Sequence, residues 1–237
     1  MVMKPLSNTE KKSEDMSKFK NFILKYHIIE LIIAGLIYAF MGILYLTTPL
    51  INSNGHELHW AIDDMIPVVK PFVLFYYSYY LAPIIFFWLT SFYDKAKFKT
   101  MMISIYFCVI IANIVYCCYQ VKMVRPTIEG NDIFSKLINW MYTKGDPTGL
   151  NCCPSLHTVM GTFTAIALLF NKKAPWWLQV IGIFFGIGIT LSTLFIKQHY
   201  VLDVICGFSL SIIVYFIVKL LTKLYLNHKA KEGIKNE

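Results

Sequence analysis

Apolar residues run along this chain in six long stretches separated by polar segments. The stretches cover approximately Ile28–Thr48, Phe72–Phe92, Met101–Tyr119, Ser155–Phe170, Trp176–Phe195 and Val201–Tyr225. Each is close to the ~20 residues that carry a helix across a bilayer. Hydrocarbon offers the backbone no hydrogen-bond partner, so a helix, which satisfies its own groups, is the expected form of each stretch. The pattern predicts an all-α integral membrane protein with a six-helix transmembrane bundle over residues 28–226. A polar segment, 1–27, precedes the bundle and a basic tail, 227–237, follows it. Two shorter helices are predicted in the connections. One lies within Trp60–Lys70, near Pro67 and Pro71; the other is Phe134–Tyr142, in a long loop where Gly130, Gly145, Pro147 and Gly149 mark turns.

Composition supports this pattern. Hydrophobic residues make up 57% of the chain and charged residues 15%, against roughly 45–50% and about 25% in soluble domains. The net charge of +8 is spread in short clusters between apolar runs, which suits anionic lipid headgroups. No basic stripe or aromatic stacking platform is present, so nucleic acid is not an expected partner. Sixteen of the 22 basic residues fall before the first stretch, between the second and third, between the fourth and fifth, and at the end of the last. The positive-inside rule then puts both termini in the cytoplasm of a multi-pass cell-membrane protein. The polar start and the length of the first apolar run argue against a cleavable signal peptide. The six cysteines have no metal-ligand spacing, and no metal or other cofactor is expected. A disulfide between the pairs Cys117–Cys118 and Cys152–Cys153 is geometrically conceivable, since both pairs lie near one membrane face.

Counting stretches and charges puts three chemically distinctive clusters on the extracytoplasmic face. Arg125-Pro126 follows the third stretch, Pro154-Ser155-Leu156-His157 opens the fourth, and Lys197-Gln198-His199-Tyr200 leads into the sixth. Asp203 stands four residues after His199, a spacing that brings both to one helical face. A carboxylate there orients the imidazole and leaves its second nitrogen as a nucleophile. The plainer reading is an interfacial histidine beside a capping aspartate. At the fourth stretch, the free N–H groups of Ser155, Leu156 and His157 and the helix dipole would favour an anion. The Ser155 hydroxyl adds a donor, and His157 can protonate a leaving oxygen. The same residues could equally be a capped helix start. Arg125 has the planar geometry that suits phosphate oxygens, though one loop arginine by itself requires no ligand.

Taken in order, Arg125-Pro126, Pro154-Ser155-x-His157, and Ser192 with His199 and Asp203 resemble the type 2 phosphatidic acid phosphatase superfamily. The resemblance spans the third to sixth stretches. It implies metal-independent phosphoryl transfer through a phosphohistidine. His199 would be the nucleophile, Asp203 its orienting partner and His157 the acid, with Arg125 and Ser155 holding phosphate. Two positions depart from the family pattern: Cys118 stands where it has a lysine, and Thr193 where it has an arginine. Lys197, four residues after Thr193, is the candidate replacement if that stretch is helical, with Lys122 a weaker one. These departures are similar to the branch containing inositol phosphorylceramide synthases.

The leading expectation is a phosphatase acting on an isoprenoid pyrophosphate, phosphatidic acid or phosphatidylglycerophosphate. A phosphotransferase that replaces water by an alcohol acceptor is the second. A non-catalytic transporter or structural protein is the third, disfavoured because the ionisable cluster lies at one face instead of mid-membrane.

Overall fold

The computed structural model describes residues 16–17 and 20–235, so most of the polar segment 1–27 lies outside the described residues. The described chain is helical apart from connections and one isolated bridge between His56 and Val121. Helix α1 is Ile28–Ile51, α2 is Ala61–Met65, and a 3-10 turn, Lys70–Phe72, leads into α3, Val73–Ser78. Helices α4, Ala82–Tyr93, and α5, Lys95–Cys118, follow. In the long connection, α6 is Ile133–Trp140, extended by a wide turn over Met141–Gly145. Helices α7, Leu156–Ile166, α8, Trp176–Phe195, and α9, Val201–Lys235, complete the bundle.

Helices α1, α5, α8 and α9 are long and apolar enough to cross a membrane. A fifth crossing is available from the second apolar stretch, which is two helical pieces bent by 42° around Tyr79–Leu81. The bend has a local cause. Pro83 sits in the first turn of α4, where its missing N–H costs no helical bond but the preceding turn cannot continue.

The fourth stretch departs from the six-span expectation. Its helix, α7, has only 11 residues, about 16 Å of rise against a hydrocarbon core of ~30 Å. After Ile166 the chain tightens into i→i−3 turns and reverses at Phe170, whose backbone is left-handed. Gln179 of α8 holds that reversal by accepting from the Phe170 N–H at 3.0 Å and donating to the Asn171 and Ala174 carbonyls. Glycines bring α7 against α8. A Cβ on Gly161 would stand 2.7 Å from the Gly186 carbonyl oxygen, so the two backbones touch where side chains would hold them apart.

Helix α5 is central: Met101, Ile105, Cys108, Val109, Ala112 and Tyr116 are all buried. Half of its apolar stretch is covered, against 17% for α1, whose Leu46 and Leu50 face outward with Trp176 and Phe208 elsewhere. Such an outer surface needs an apolar surrounding. Asp94 starts α5 earlier than the apolar pattern alone indicates, its side chain accepting from the Lys97 N–H at 2.8 Å.

The polar contacts divide between the two ends of the bundle. At one end, Lys95 pairs with Glu30 at 2.6 Å and the Lys97 ammonium donates to the Leu169 carbonyl. The other end gathers the C-termini of α1, α5 and α8, the N-termini of α7 and α9, and the α6 connection. Tyr116 ties α5 to the start of α7 by donating to the Pro154 carbonyl at 2.6 Å. Asp132 caps α6; the Ser135 hydroxyl and N–H hold its carboxyl well below the usual carboxylate range.

Candidate active site

The N-terminus of α9 places the first pair. Tyr200 is the residue before the helix, and its N–H donates to Asp203 Oδ2 at 2.9 Å, half of a capping box. The same oxygen faces His199 Nδ1 at 3.4 Å. His199 therefore lies just outside the helix, and the i,i+4 pair forms because the capped first turn curls Asp203 back beneath the ring. Asp203 is fully buried, and its Oδ1 has no hydrogen-bond partner among the described residues. A buried carboxylate beside one ring nitrogen makes that nitrogen the protonated one, so Nε2 of His199 carries the lone pair.

The N-terminus of α7 meets this pair from the opposite side. Ser155, not Pro154, starts the helix: its Oγ accepts from the Thr158 N–H at 3.3 Å, and Pro154 precedes the cap. The Ser155 N–H donates to the Asp203 carbonyl at 3.0 Å, which locks the two helix starts together. His157 then presents Nδ1 to His199 Nε2 at 3.4 Å, while its own Nε2 is buried with no partner among the described residues. Tyr76 and Tyr79 flank the His157 ring at centroid distances of 4.7 and 4.3 Å. The N–H groups of Leu156 and His157 lie in the first turn, outside the helical ladder.

Arg125 reaches the cluster indirectly. Its guanidinium donates to Gln198 Oε1 at 2.7 Å, next to His199, and forks onto the carbonyl and carboxylate of Asp146. It stacks over the Tyr142 ring at 4.9 Å, and the Tyr142 hydroxyl donates to the Ile196 carbonyl at 2.6 Å. Asp146, Tyr76 and Tyr79 carry no motif signal in the sequence: Gln198 lies within the Lys197–Tyr200 segment, whereas Asp146 sits in a Gly/Pro turn. Its pairing with a residue 21 positions away leaves no local pattern.

The two substitute lysines are not brought to the histidines. Lys197 has a left-handed backbone after α8 has ended, so it shares no helical face with Thr193. Its ammonium donates to the Asp63 carbonyl at 2.7 Å, beside an outer cavity that Arg125 and Tyr200 also line. Lys122 is exposed on the segment bridged to His56. Thr193 serves the site through its backbone, its carbonyl accepting from the Gln198 and His199 N–H groups.

Asp63, also unanticipated in this role, holds the loop that carries His199. Its Oδ1 accepts from Val201, the first residue of α9, at 2.8 Å, and its Oδ2 accepts from Trp60 at the same distance. A side chain from α2 thus caps α9 across the chain. Asp63→Ala removes both acceptors and is expected to destabilise the protein by about 1–3 kcal/mol, with a parallel fall in turnover. Asp63→Asn retains one good acceptor and should recover part of both. Thermal melting in detergent tests this; an unchanged midpoint for the alanine variant would rule out the cross-chain cap.

Cys152, His199 and Asp203 bring donor atoms within 4.8 Å of one another, a spacing a metal could use. Burial, reinforced by Asp203, pushes the Cys152 thiol well above its ordinary value. All six cysteines are free, so the conceivable disulfide is not formed.

His157, His199 and Leu156 border a cavity of about 420 Å³ that also reaches Asp146, Trp140 and the tyrosines of α1 and the broken second stretch. Its walls combine two facing imidazoles with a helix start.

Residues 121–225 match the PAP2 superfamily. Members of that superfamily are phosphoesterases or phosphotransferases. The PAP2 match contains Arg125, Ser155, His157, His199 and Asp203, while Asp63 and the tyrosines of the second apolar stretch lie outside it. No curated protein and no solved structure gives a match.

Proposed function

We propose that this protein is a metal-independent membrane lipid phosphatase working through a phosphohistidine. The observation that carries the reading is the line Asp203–His199–His157, with consecutive 3.4 Å contacts, at the mouth of a cavity. His199 Nε2 attacks phosphorus, the P–O ester bond breaks, and its electron pair leaves on the lipid oxygen, which takes the Nδ1 proton of a doubly protonated His157 and leaves that ring neutral. Water then attacks phosphorus, the P–N bond breaks with its electron pair returning to His199 Nε2, and the proton lost by the water goes to the neutral His157, which regains its doubly protonated form. Phosphorus must enter between the two rings, so their mutual hydrogen bond opens on binding. Arg125, Ser155 and the α7 N–H groups supply charge and donors to the phosphoryl oxygens. Lys197 and Lys122 are left outside this cradle.

We read the bundle as six-spanning, with α7 and the turns to residue 170 forming the fourth crossing, termini in the cytoplasm, and the histidines at the outer face of the cell membrane. One observation favours transfer to an alcohol as the second reading: the cavity beside His157 is much larger than a phosphate needs.

The test offers a panel of labelled lipid phosphates and pyrophosphates in excess chelator, with and without alcohol acceptors. Chelator-resistant phosphate release with an acid-labile, alkali-stable label on the protein supports the phosphatase. A new phospholipid in place of free phosphate would move the reading to transfer, and no product from any substrate would remove its support.

A further inference from the structure

The cavity beside the histidines has a composition that an alkyl phosphate alone does not explain. Six tyrosines and one tryptophan line it, with Asp146 as its only carboxylate and, among the described residues, no lysine or arginine. Four of the tyrosine hydroxyls are already committed to the protein: Tyr38 to Tyr79, Tyr45 to Leu150, Tyr77 to Leu137 and Tyr79 to Met41. The walls therefore offer aromatic rings more than hydroxyls, a poor surface for a polyol and a good one for a cation.

Charge balance points the same way. Asp146 is neutralised by Arg125, and both side chains are nearly covered, 12% and 9% exposed. If substrate phosphate takes the Arg125 fork, Asp146 is left as a covered carboxylate facing an aromatic cavity without a counter-ion. A substrate bearing its own cation restores the balance, with phosphate on Arg125 and cation on Asp146.

We infer that the phosphate group received here carries an alkylammonium on its alcohol, held by Asp146 and the tyrosine-lined cavity. This rests on the phosphoryl-transfer reading above and narrows its substrate to phosphate esters of amino alcohols. Tyr76 and Tyr80 are the ring contacts, since both line the cavity and their hydroxyls make no hydrogen bond among the described residues. Trp140, 55% exposed, lines the cavity beside them.

The test compares phosphocholine with 3,3-dimethylbutyl phosphate, which has the same shape and phosphate but carbon in place of nitrogen. Binding is measured by calorimetry on the full chain in a maltoside detergent, which has no ammonium of its own, for wild type at low temperature and for His199→Ala. Phosphocholine is expected to bind about tenfold more tightly than its neutral twin. Tyr80→Leu and Asp146→Asn, checked for native melting, should each reduce that ratio towards one. Equal affinities in the wild-type protein would overturn the inference and leave the phosphate site standing. Binding of neither ester would overturn both this inference and the phosphoryl-transfer reading.

Discussion

Lipid phosphate hydrolysis is expected to fall at least about a thousandfold in His199→Ala, because the covalent route is lost and not merely slowed. His157→Ala should behave differently, in a way that depends on the leaving group. Departure of a lipid alkoxide needs a proton, and His157 is the ring beside His199 that can deliver it. For an alkyl ester the expected loss is about 10²–10⁴-fold. For an aryl phosphate, whose oxygen leaves readily as an anion, the first step should change little in the same variant. Burst kinetics with the two ester types separate these cases. Equal losses on both would show that His157 acts in positioning or dephosphorylation and not as the acid.

Arg125→Ala is expected to destabilise the fold by about 3–5 kcal/mol as well as abolish activity. The size follows from what remains: Asp146, 12% exposed, would lose the guanidinium that forks onto its carboxylate and carbonyl. Removing the stranded charge should relieve much of the loss, so Arg125→Ala/Asp146→Ala should melt above the single arginine variant. Arg125→Lys restores charge but not the fork, and should recover stability more than turnover. Strictly additive losses in the double variant would show that the pair is not coupled.

Four apolar stretches were legible as helices from hydropathy alone, and α8 begins and ends where the pattern placed it, Trp176–Phe195. Boundaries shifted where polar residues act as caps. Asp94 draws α5 back into a lysine-rich segment, and α9 runs without a break through the basic tail to Lys235. The fourth apolar run is longer than its helix, and the remainder is taken up by the turns that end at Phe170. The reversal at Phe170 depends on Gln179 side-chain bonds that periodicity does not encode. His157, His199, Asp203, Ser155 and Leu156 lie together at one end of the bundle. Lys197 does not join them, because the α8 helix stops at Phe195 and the following turn sends its ammonium to Asp63.

The sequence by itself determined that the chain is helical and apolar, and which ionisable residues gather at one end of the bundle. Those are consequences of local properties: run length, charge placement and short spacings. Only the tertiary structure decided that Asp146 fills the Arg125 fork, that Asp63 caps α9 from α2, and that a tyrosine-lined cavity opens on His157. Each of these joins residues from separate segments, and close contact between distant segments is set by how the helices pack, not by any pattern along the chain.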